Sequence, residues 1–105
     1  MPVYVVTGAN RGLGLEFVRQ LAQSSDNTIL ACSRSKDSDL KDVKGVASSS
    51  THFLVCDTGD LSSIKSFVSD AKKTLGGKKI DFLLNNAGRP GPRVDKWYVS
   101  QDKGS

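Results

Sequence analysis

Gly8, Gly12 and Gly14 follow the apolar run Val3-Tyr4-Val5-Val6 in a G-x3-G-x-G spacing, and a helical pattern starts at once behind them. A strand that turns through bare backbone into a helix makes an anion site. The N–H groups of the first helical turn face the loop, and the helix dipole is positive at that end. The anion suited to this spacing is a dinucleotide pyrophosphate. Gly8 lets the chain turn sharply off the strand, and Gly12 lets main chain approach phosphate. Gly14 lets the helix lie close to the sheet. Asn10, Arg11 and Leu13 complete the candidate contact loop, Arg11 with a positive charge. A Walker-type loop would need G-x4-G-K-[ST], and Leu13-Gly14 after Gly12 removes both functional side chains. The competing reading is a glycine turn that only packs a helix on a strand.

The second informative position lies about 20 residues on, where a dinucleotide-binding unit reads the adenosine ribose. Thr28-Ile29-Leu30-Ala31-Cys32-Ser33 predicts a buried parallel strand, and Arg34 follows it, with Lys36 next and no acid before Asp37. A carboxylate here would accept from a free 2′-hydroxyl and repel a 2′-phosphate. A guanidinium pairs with that phosphate through charge-assisted bonds worth about 1.5–3 kcal/mol each. NADP is therefore expected in preference to NAD. The alternative for Arg34 is a solvated loop residue.

Thr7-Gly8-Ala9-Asn10-Arg11-Gly12-Leu13-Gly14 resembles the T-G-x3-G-x-G signature of the short-chain dehydrogenase/reductase family. Two later motifs match it in order and spacing. Asp57, after His52-Phe53-Leu54-Val55-Cys56, resembles the acid that contacts the adenine ring; Asn85-Asn86-Ala87-Gly88, after Ile80-Asp81-Phe82-Leu83-Leu84, resembles the N-N-A-G motif that ends the fourth strand. The resemblance covers residues 3–88 and assigns Asp57, Asn86, Ala87 and Gly88 to cofactor binding. Gly14 to Leu21 further resembles the carbonyl-reductase-like members related to C-factor and Sniffer. Thr58 departs from the pattern, which places an aliphatic residue there.

The rest of the chain must position these residues. Helical spacing appears in Leu15, Val18, Leu21 and Ala22, and again in Leu61, Ile64, Phe67, Val68, Ala71 and Leu75. Asp60 is placed to cap the latter helix and Gly76-Gly77 to stop it. Asp39 to Val46 predicts a short helix and Ser48-Ser49-Ser50 a loop. The order β-α-β-α-β-α-β implies an α/β fold: a parallel sheet with right-handed crossovers and helices on both faces. The resemblance implies the N-terminal half of a Rossmann-type doubly wound sheet, strand order 3-2-1-4, with its ligand crevice between strands 1 and 4.

In the family, a Ser on the fifth strand and a Tyr-x3-Lys on the next long helix carry the chemistry, supported by an Asn. Those positions lie well beyond N-N-A-G, and 17 residues follow Gly88. No catalytic residue is therefore assigned, and the chain is expected to be inactive alone. In the tail, Tyr98 and Lys103 are five apart rather than four, which turns them about 140° from each other on a helix. Asp102 holds the place of the lysine and would raise a tyrosine pKa. Arg89-Pro90-Gly91-Pro92-Arg93 suits neither helix nor sheet interior. Residues 1–88 are thus expected to form a nucleotide-binding half-domain and 89–105 an irregular tail, and a truncated, alternatively spliced or mispredicted gene product is the expectation that follows. The alternative function is a non-catalytic nucleotide-binding or interaction module.

Length and charge set the remaining bounds. At 105 residues the chain is one domain, short for a whole enzyme of this type. The net charge of +4 is scattered, and the paired lysines Lys72-Lys73 and Lys78-Lys79 suit a helix C-terminus, so no nucleic-acid partner is expected. Cys32 and Cys56 lack C-x2-C spacing and His52 stands alone, so buried reduced thiols and no metal are expected. The first strand starts within three residues, with no charged leader or long apolar run, so a cytoplasmic location without membrane contact is expected. The apolar strand Ile80–Leu84 would offer an unpaired edge, with self-association the expected result unless Trp97-Tyr98 folds over it.

Overall fold

The computed structural model describes residues 2–85. Strands alternate with helices in the order β1 (Val3–Val6), α1 (Gly12–Leu21), β2 (Thr28–Ser33), α2 (Lys41–Val46), β3 (Thr51–Val55), α3 (Leu61–Leu75) and β4 (Phe82–Leu84). All pairs are parallel, and the sheet order is β3-β2-β1-β4. That is the expected Rossmann-type arrangement, with β1 central and the order reversing between β1 and β4.

Each face of the sheet has its own core because successive side chains alternate across it. Val3 and Val5 of β1, with Leu30 and Cys32 of β2, pack beneath Ala71 and Leu75 of α3, joined by Leu54, Ile64, Phe67 and Leu83. On the other face Val6, Ile29 and Ala31 meet Val18 of α1 and Val43 of α2. The uncharged run of β2 is buried at all six positions, as a strand paired on both sides and covered on both faces must be. At the open side of the sheet, Tyr4 and Phe82 stack with ring centroids 4.9 Å apart.

The expected ends of α3 are present. The Asp60 side chain accepts from the Ser62 N–H at 3.0 Å, and Gly76 takes a left-handed φ of 58° while its N–H bonds the Lys72 carbonyl. Lys72 and Lys73 occupy the last turn, where the dipole is negative. Asp60→Ala is expected to lower stability by about 1 kcal/mol, and Asp60→Asn by much less, because asparagine still accepts from Ser62. Urea unfolding checks this; equal midpoints for wild type and Asp60→Ala would mean that the cap contributes nothing.

Four expectations need correction. α2 starts at Lys41 rather than Asp39, because the Asp39 carboxylate takes the Lys41 N–H at 2.9 Å and sits outside the helix. β3 runs one residue earlier than His52–Cys56: Thr51 pairs with Ile29, and Cys56 follows the strand, its N–H donating to the Ser33 carbonyl at 2.8 Å. β4 is shorter than Ile80–Leu84, since Asp81 turns its carboxylate onto the Val3 N–H at 2.8 Å. In α3, Leu61 and Val68 belong to the apolar spacing yet stand exposed, at 66% and 44%. No described helix is long and apolar enough to cross a membrane.

Candidate functional site

Parallel pairing puts the C-terminal ends of all four strands on one rim, so the residues after each strand meet there. The loop after β1 holds Gly8, Asn10 and Arg11, and α1 opens on Gly12, Leu13 and Gly14. Gly8 and Gly12 both have φ near 61°, where a side chain is strained, so the glycines are required by the backbone itself. Gly14 is buried in α1, as a close approach to the sheet demands, while Arg11, Gly12 and Leu13 are exposed on the rim.

This loop is tied down on two sides. The Ala9 N–H donates to the Cys32 carbonyl at 2.9 Å, which holds the loop against the end of β2. On the other side Thr7 Oγ1 donates to Asn85 Oδ1 at 3.0 Å, and the Thr7 N–H bonds the Leu84 carbonyl. The start of the glycine loop is thereby joined to the end of β4, across the reversal of strand order. Neither Thr7 nor Asn85 was in the expected contact set, although each stands first in its motif. The parallel register of β1 and β4 is the signal that joins them.

The first turn of α1 has no side-chain cap and no acidic residue. A Cβ built on Gly12 would meet nothing within 4 Å. An open, uncapped helix N-terminus with a positive dipole end fits a phosphate group, and its backbone geometry excludes most side chains.

Arg34 stands on the rim at the end of β2 with its side chain 84% exposed, and its Nε lies 3.9 Å from Asp57 Oδ2. Asp57 is fixed more firmly. Its Oδ1 accepts from the Gly59 N–H at 3.0 Å, and its own N–H donates to Ser63 Oγ at 2.9 Å. The fold therefore brings Gly8, Asn10, Arg11, Gly12, Leu13, Gly14, Arg34 and Asp57 to one end of the sheet. Asn86, Ala87 and Gly88 lie outside the described residues, as do the tail, Trp97, Tyr98 and Lys103.

Cys32 and Cys56 are free, buried thiols of one core. Burial pushes the Cys32 thiol well above its usual range, with Cys56 adding to the shift; burial and then the Asp57 charge push Cys56 up. Neither thiol has the electropositive, accessible setting of a reactive thiolate. Glu16 on α1 is held down to about 2 by hydrogen bonds from Arg19 and then Gln20, an exposed network along the helix.

The chain matches the short chain dehydrogenase family over residues 2–102. The short chain dehydrogenase virK of Hypocrea virens is 39% identical over 89 residues, which is 83% of this chain and 32% of that protein. A candidate carbonyl reductase, Sniffer, of Caenorhabditis elegans superposes with a TM-score of 0.76 at 34% identity, covering 85% of this chain and 38% of the other. The NADPH-bound carbonyl reductase from chicken fatty liver gives 0.76 at 27% identity, covering 97% and 40%. Another similar reductase was solved in complex with NAD. The chain spans about a third of the length of the curated relatives it matches. Together with the glycine-lined rim and the 3-2-1-4 sheet, the match over residues 2–102 makes this chain a member of the short chain dehydrogenase family, corresponding to its N-terminal portion.

Proposed function

We propose that this chain is the NADP(H)-binding portion of a carbonyl or alcohol oxidoreductase. One observation carries the reading: the open, uncapped N-terminus of α1, floored by Gly12 at φ 61°, on the same rim as Arg34. The glycine loop and the first turn of α1 bind the pyrophosphate through main-chain N–H groups. Arg34 pairs with the 2′-phosphate of the adenosine ribose, and Arg11 adds positive potential on the exposed side of the loop. Asp57 lies at the end of β3, where the adenine ring would reach. Asn86, Ala87 and Gly88 belong to the same site. When bound, the cofactor supplies or accepts a hydride at the substrate carbon. The acid–base groups that handle the substrate oxygen come from residues beyond this portion. The NADPH-bound carbonyl reductase among the similar structures supports the cofactor and the substrate class.

Calorimetric titration of the chain with NADPH and with NADH tests the assignment. NADPH should bind more tightly, and Arg34→Asp should erase or reverse the difference. Because Arg34 is largely exposed, the loss belongs at the lower end of a charge-assisted bond, about 1.5 kcal/mol or roughly tenfold. Equal affinity for the two nucleotides, left unchanged by Arg34→Asp, would make Arg34 a solvated loop residue. Absence of binding to either would remove the nucleotide reading altogether.

A further inference from the structure

We propose that Asp57 limits the preference for a 2′-phosphorylated dinucleotide, because its anchored carboxylate stands beside Arg34 and repels the anion that Arg34 attracts. The inference rests on the NADP(H) reading above and adds a specificity-determining residue to it. Arg34 Nε and Asp57 Oδ2 are 3.9 Å apart, so a phosphate seated on the guanidinium fork falls within about one Debye length of the carboxylate at physiological salt. Asp57 has little freedom to withdraw. Its Oδ1 is held by the Gly59 N–H, and its main chain is held by Ser63 Oγ. With its side chain only 33% exposed, Asp57 is also less screened than Arg34, which is 84% exposed.

The opposite role would be a brace that orders Arg34 for the phosphate. The geometry argues against it. A separation of 3.9 Å is too long for a hydrogen bond, and an ion pair that leaves the arginine so exposed restricts its rotamers little. Repulsion needs no contact and acts on every rotamer of Arg34. Moving from a hydroxyl to a phosphate at the ribose therefore carries a penalty at Asp57 that partly cancels the gain at Arg34.

Asp57→Asn removes the charge and keeps an oxygen that can accept from the Gly59 N–H. The full chain is titrated with NADPH and with NADH, and the ratio of the two affinities is read. The variant should raise the NADPH-over-NADH ratio about two- to fourfold in low salt, and the gain should vanish near 1 M salt, where the Debye length is about 3 Å. A contact of Asp57 with the adenine ring, or a purely structural role, would change both affinities by one factor and leave the ratio as it was. Should Asp57→Asn unfold, Asp57→Ser offers a second neutral side chain that reaches the Gly59 N–H. An unchanged or lowered ratio in a cooperatively folded variant overturns the proposal. Equal wild-type affinities followed by a rise in the variant would support the proposal, with Asp57 offsetting the attraction of Arg34 fully rather than in part. A wild-type chain that binds neither nucleotide overturns both.

Discussion

Gly12→Val is expected to abolish dinucleotide binding while the chain still folds. Two separate effects act at this position. Gly12 has φ 61°, in the left-handed region, where a β-branched residue is a genuine outlier; holding it there costs about 1–2 kcal/mol. A Cβ at Gly12 has nothing within 4 Å, so the substitution starts into open space and no core contact is lost. On the proposed reading the pyrophosphate lies against Gly12, where the added side chain obstructs it. Losing two charge-assisted bonds there removes about 3 kcal/mol or more of binding, at least a hundredfold in affinity. Gly12→Ala should lie between, with similar backbone strain and a smaller obstruction. Thermal unfolding of the free chain measures the first effect, and calorimetry with NADPH the second. A folded Gly12→Val chain with wild-type affinity would place the nucleotide elsewhere, and the glycines would then serve only the packing of α1.

The sequence carried the frame of this site because its strongest demands are local. A residue at φ 61° just behind a strand must be small, so Gly8 and Gly12 announce the turn without any knowledge of the fold. The same holds for Asp60 and Gly76 at the ends of α3, and for β2, whose six uncharged residues leave no alternative to burial. What escaped depends on side chains that leave the regular pattern. Asp39 and Asp81 each turn back onto a main-chain N–H, shortening α2 and β4, and no periodicity contains that choice. The strand expected over Ile80–Leu84 is accordingly three residues long. The approach of Arg34 to Asp57 escaped for a different reason. They stand at the ends of neighbouring strands and meet only once β2 and β3 are in register, Ser33 against Val55. Sequence offers both residues as candidate ligand contacts; only the register brings them within reach of each other. Leu61 and Val68 reverse the lesson. Both fit the helical spacing, but α3 buries only Ala71 and Leu75 fully, so the apolar stripe is wider than the surface that covers it.

Leu30→Ala should therefore cost far more than Leu61→Ala, although the two substitutions are chemically identical. Leu30 is fully buried in β2 and paired with Val5 on one side and His52 on the other. Its side chain lies in the core beneath α3, with Val3, Val5, Cys32 and Leu75. Strands on both sides and a helix above leave little room for the surroundings to close over a missing isopropyl group, so the transfer loss and the cavity add. The expected destabilisation is about 2–5 kcal/mol. Leu61 opens α3 at 66% exposure and leaves no cavity, so its truncation should stay within about 0.5 kcal/mol of zero. The first figure is a large part of the stability of any small domain, about 5–15 kcal/mol. Urea unfolding followed by far-ultraviolet circular dichroism should show Leu30→Ala with a much lower midpoint or no folded baseline, and Leu61→Ala close to wild type. Comparable losses at both positions would mean that the outer face of α3 is covered in the folded chain. Small losses at both would mean that the sheet packs loosely, and that the rim holding Gly12, Arg34 and Asp57 is not preorganised for a nucleotide.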